Sequence, residues 1–120
     1  MVLNTDEHID FVIDYLEDVL DLNAAQKTKL VEIRKELTAK MATLKNSREK
    51  MRPIVEEQLA AEKADTKVIK QAIALHRQNL DSVIDLAVDR FAEFHALLTP
   101  AQRQKLIAKL EKWHKYQEEQ

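Results

Sequence analysis

Four histidines, His8, His76, His95 and His114, are the side chains best suited to transition-metal chemistry, since imidazole is the commonest nitrogen ligand near neutral pH. No two stand three or four residues apart, so no helix face carries a ready-made pair, and no His-Glu-x-x-His segment occurs. The acidic neighbours are Glu7 beside His8, Glu93 near His95 and Glu111 three before His114. Glu111-Lys112-Trp113-His114 has the Glu-x-x-His spacing of di-iron bundles, but only once, where that chemistry needs it on two helices. The expected cofactor is therefore none. Were zinc or another transition metal to bind, these four histidines are the candidates, brought together across helices or copies. On its apolar stripe His76 reads more simply as a packed, hydrogen-bonded residue.

Other reactive chemistry is thinner still. The absence of cysteine removes thiol nucleophiles, disulfides, Cys-based zinc sites and iron–sulfur clusters. The absence of glycine removes the phosphate-cradling loops of nucleotide enzymes. No Ser/His/Asp grouping suggests an activated nucleophile. No catalytic residue is assigned, and the chain is read as a non-enzyme.

Binding chemistry is richer. Residues 27–52 hold nine bases against three acids, a net +6, whereas residues 1–23 hold seven acids and no Lys or Arg. The overall charge of −2 hides this asymmetry and gives no reason to expect nucleic acid. Lys40, Lys45, Arg48 and Arg52 are interleaved with Met41, Leu44, Met51 and Ile54. Such a face suits acidic, partly unfolded chains, because long-range attraction speeds encounter and soft Met side chains adapt to many partners. The competing reading is an ordinary solvated helix face, neutralised by the acidic first segment.

These residues must be positioned by helices. A sheet protein of 120 residues needs tight turns that favour φ > 0, normally supplied by glycine, and this chain has none. Apolar spacing of three and four predicts four helices, at about residues 6–21, 24–61 with a kink near Pro53, 66–98 and 100–117 of a single domain, 1–120. Thr5 or Asp6, Asn23, Asp65 and Thr99 are the expected N-caps, and Pro100 sits at a first helical position where it is favoured. The expected apolar stripes are Ile9, Val12, Ile13, Leu16, Val19 and Leu20; then Leu30, Ile33, Leu37, Met41, Leu44, Met51 and Val55. They continue with Ile69, Ile73, His76, Leu80, Val83, Ala87, Phe91, Phe94 and Leu98, then Leu106, Ile107, Leu110, Trp113 and His114. Trp113 and Tyr116 are expected to anchor the last helix. No apolar run is long enough to cross a membrane.

One segment occurs twice. Leu22-Asn23-Ala24-Ala25-Gln26 and Leu98-Thr99-Pro100-Ala101-Gln102 each read as a capping box, with Gln three residues after the cap. The chain resembles the Spy/CpxP family of bacterial periplasmic proteins, whose signature is a pair of Leu-Thr-x-x-Gln motifs. Leu98, Thr99, Pro100 and Gln102 fit it fully, whereas the first copy carries Asn23 for Thr between Leu22 and Gln26. The resemblance implies an all-α fold: a long antiparallel helical hairpin with shorter flanking helices, paired into a cradle-like antiparallel homodimer. It further implies an ATP-independent chaperone, a holdase or refolding factor for unfolded or misfolded clients. The alternative it carries is an envelope-stress or metal-responsive signalling accessory, of the zinc-resistance-associated kind, with a sensor kinase's periplasmic domain as partner. Location would be the periplasm, the signal peptide having been removed, with no membrane insertion.

Overall fold

A computed structural model describes residues 5–119, with side chains described from His8 to Glu118. The expected cap at Thr5 or Asp6 and the Glu7 side chain lie outside the described side chains. The chain forms four helices, α1 (Thr5–Leu20), α2 (Ala24–Ala60), α3 (Thr66–Ala96) and α4 (Pro100–Glu119), and no strand occurs among the described residues.

The helix ends follow from local chemistry. Asp65 Oδ1 accepts the Lys67 N–H at 3.0 Å, satisfying one of the free donors that open α3. α3 stops at Ala96, before the expected Leu98, because the Leu97 and Leu98 N–H groups turn back to the Phe94 and His95 carbonyls at 2.9 and 3.1 Å. α1 ends differently. Asp21 has φ 52°, the left-handed geometry that glycine usually supplies after a helix. A short polar side chain tolerates this region better than most, which lets the glycine-free chain turn here. α2 runs on through Pro53 to Ala60. Proline removes one N–H, but the flanking turns are held by side chains such as Met51 and Ile54, both half-buried.

Contacts divide the chain into two units: residues up to Arg34 together with those from Arg90 onward, and Lys35–Asp89. In the first, Ile13, Leu20, Leu22, Leu30, Ile33, Phe94 and Leu98 form an apolar core. Full burial of such side chains is worth roughly 1.5–3 kcal/mol each. In the second, α2 and α3 run antiparallel, with Lys40 Nζ donating to Ser82 Oγ at 3.1 Å and Ser47 Oγ lying 3.1 Å from His76 Nδ1. Among its residues only Ala72 and Val83 are buried apolar side chains.

The expected stripes are therefore only partly covered. Val12, Ile73, Leu80, Phe91, Ile107, Leu110, Trp113 and His114 are exposed. An apolar stripe spans more of a helix's circumference than one packing neighbour covers, so its edges stay in water. Trp113 and Tyr116 are not packing anchors: both are about 60% exposed.

Candidate functional site

The repeated motif builds one hydrogen-bonded cluster in the first unit. Each copy forms the reciprocal box expected of it. The Gln26 N–H donates to Asn23 Oδ1 and the Asn23 N–H to Gln26 Oε1, both at 2.9 Å. Correspondingly, the Gln102 N–H donates to Thr99 Oγ1 at 3.1 Å and the Thr99 N–H to Gln102 Oε1 at 2.9 Å. The two glutamines then meet. Gln26 Nε2 donates to Gln102 Oε1 at 2.8 Å, and Gln102 Nε2 donates to Gln26 Oε1 at 3.1 Å. Each amide spends its remaining N–H on the end of a helix: Gln26 on the Leu97 carbonyl at 2.7 Å, Gln102 on the Leu20 carbonyl at 3.2 Å.

Every donor and acceptor of both amides is thus used. This is why Gln26, 1% exposed, can be buried at all: an unpaired buried amide would cost several kcal/mol. The clasp ties the starts of α2 and α4 to the ends of α3 and α1. Leu22 and Leu98, one before each cap, are buried beneath it. Pro100 occupies the first position of α4, where its missing N–H costs nothing. The motif's chemistry is structural, and it leaves no free polar group aimed at a ligand.

Around the clasp lie ion pairs. Arg34 reaches the Asp10 and Asp14 carboxylates, each at 3.2 Å. Glu93 accepts from Lys29 at 3.3 Å and from Arg90 at 3.0 Å. Partial desolvation pushes the Glu93 carboxyl up, but the hydrogen bonds and charges of Lys29 and Arg90 outweigh it, so its pKa lies below the ordinary value of 4.5.

The residues expected to bind clients lie on α2 in the second unit. Lys40, Lys45, Arg48 and Arg52 are exposed, while Met41, Leu44, Met51 and Ile54 are half-buried. Arg52 is engaged by Glu56 at 2.8 Å and Lys40 by Ser82. Met51, Ile54 and Lys50 line a groove of about 250 Å³ with Ser47, Leu75 and Asn79. Met51 and Ile54 thus lie at the seam between α2 and α3, and all four apolar members are only partly exposed. Side chains that the spacing argument passed over are the more accessible ones: Leu59 (78% exposed), Leu75, Ile84 and Val88 (61%). Leu75 and Val88 fall outside the three-and-four repeat, so their apolar character, with no core position to explain it, was the signal available.

The histidines do not converge. His76 is half-buried against Ser47, His95 packs beside Phe91 with ring centroids 6.0 Å apart, His114 Nε2 pairs with Glu118 at 3.0 Å, and His8 is exposed. Among the described residues no group of three or more His, Cys, Asp or Glu comes close enough to hold a metal ion. No helix among them is long and apolar enough to cross a membrane.

The model of the LTXXQ motif family protein matches residues 8–110, most of the chain and both copies of the repeat. Comparison with curated proteins and with solved structures gave no match.

Proposed function

The chain belongs to the LTXXQ motif family, and from that premise we propose that it is an ATP-independent periplasmic chaperone that holds unfolded or aggregation-prone clients. The observation that carries this reading is the second unit, which exposes Leu59, Leu75, Ile84 and Val88 as well as Lys45, Arg48, Lys50 and Arg52, with Leu75 and Lys50 lining one groove. Open apolar side chains give a client something to bury, and the bases of the same unit speed its arrival and keep the unit soluble. A second copy of the chain covers part of the same surface in a homodimer, because two antiparallel helices with few buried side chains leave a face to fill. The role requires no nucleotide and no covalent step.

The test is suppression of aggregation. With an unfolding client and no nucleotide, near-stoichiometric protein should keep light scattering low. Charge reversal of Lys45, Arg48 and Arg52 together should weaken protection while circular dichroism stays helical. Full protection by the triple variant would remove the basic face from the mechanism. Protection that appears only with added zinc would favour the metal-responsive reading instead.

A further inference from the structure

The first unit also carries an apolar groove apart from the clasp. Where α1 packs on α4, Phe11, Tyr15, Leu106, Leu110 and Trp113 surround a groove of about 370 Å³ whose remaining lining residue, among those described, is Lys109. That volume lies within the roughly 300–1,000 Å³ of small-molecule sites, and a mostly aromatic and aliphatic wall with one polar group is their usual composition.

We propose that this groove binds a single-chain anionic amphiphile, its apolar chain against the aromatic wall and its carboxylate or phosphate head on Lys109. Charge selects the head. Lys109 is half-buried at the groove, and Lys105 and Lys112, four before and three after it, share its edge of α4. Among the described residues no carboxylate lines the groove. Two of the α1 acids, Asp10 and Asp14, are engaged by Arg34. The adjoining hollow on the other side of Leu110 and Trp113 is lined by Glu111 and Glu118 with His114 and Lys115, an arrangement that disfavours an anion. The apolar wall selects the tail. Phe11, Leu110 and Trp113 are each at least 60% exposed, so a bound chain would remove much apolar surface from water. This site is separate from the client-binding reading, which rests on Lys35–Asp89.

Trp113 is the only tryptophan in the chain and lines the groove, so it reports occupancy directly. The full chain is titrated with dodecanoate below its micelle concentration, in parallel with dodecyltrimethylammonium and with phosphatidylglycerol vesicles. The expected result is a saturable blue shift of Trp113 emission with dodecanoate at concentrations where the cation has little effect. Lys109→Glu should weaken dodecanoate binding by about tenfold and strengthen binding of the cation, with helicity unchanged. Because Lys109 is only half-buried, the variant folds; Lys109→Gln, with an intermediate loss, guards against a local distortion. Three results overturn the proposal: no saturable shift, equal response to anion and cation, or a shift with vesicles alone.

Discussion

The clasp unit and the Lys35–Asp89 arm are made from the same kind of amphipathic helix, yet they satisfy burial in opposite ways. Among the described residues the first gathers seven buried apolar side chains and a buried, fully hydrogen-bonded Gln26. The second buries only Ala72 and Val83 and leaves Leu59, Leu75, Ile84 and Val88 in water. The difference lies in how many helices meet. In the clasp unit the ends of all four helices come together, so a stripe finds cover on more than one side. In the arm two helices run past each other, and each covers only part of its neighbour. A region of the first kind is stabilised by its own contacts; a region of the second kind keeps surface available for something else.

The largest effect that would sharpen this contrast is Phe94→Ala, which empties the centre of the clasp core and should cost about 3–5 kcal/mol. Val83→Ala in the arm should cost no more than about 1–2 kcal/mol. Equal losses in chemical denaturation would break the comparison. Next comes Gln26→Leu, which strands the Leu97 carbonyl and half of the Gln102 amide; the expected loss is about 2–4 kcal/mol. The double variant with Gln102→Leu should then cost less than the two single losses combined, because the partners left unpaired are shared. Thr99→Ala removes one cap and should cost about 1 kcal/mol, read as a lower melting temperature.

In the arm, Ile84→Glu should change the stability of the single chain by less than about 0.5 kcal/mol, since Ile84 is half in water already. The same change should shift sedimentation toward monomer, and an unchanged sedimentation profile would separate Ile84 from the proposed dimer surface. The smallest effect belongs to Glu93. Its folded-state pKa is depressed, so its contribution is present above about pH 4.5 and is lost as pH falls through the lower folded value. Glu93→Gln should therefore flatten the acid limb of the stability profile, with little change near neutrality, where an exposed ion pair contributes little.

Much of the fold was legible from spacing. A glycine-free chain with caps at Asn23, Asp65 and Thr99 had to be helical, and α2, α3 and α4 begin where those caps place them. The left-handed turn at Asp21 was not legible, since nothing in Leu20-Asp21-Leu22 distinguishes it from an ordinary helix end. Each capping box could be read, because its partners are three residues apart. The bond between Gln26 and Gln102 could not, because it joins side chains seventy-six positions apart. The repeat hinted that the two motifs were equivalent, but equivalence does not imply contact. Likewise the basic residues of α2 were found by counting charge, whereas Leu75 and Val88 needed coordinates to show that an apolar side chain was left uncovered.

Local rules act over three or four residues and depend only on the identity of near neighbours. They were enough for helix type, helix starts and the sign of each face. Burial depends on which faces meet, and only the tertiary structure decided that Gln26 lies sealed in a core while Trp113 lies open beside a groove. The physical reason is that a polar amide enters a core when distant partners satisfy all its hydrogen bonds, and an aromatic ring stays outside when no neighbour is left to cover it.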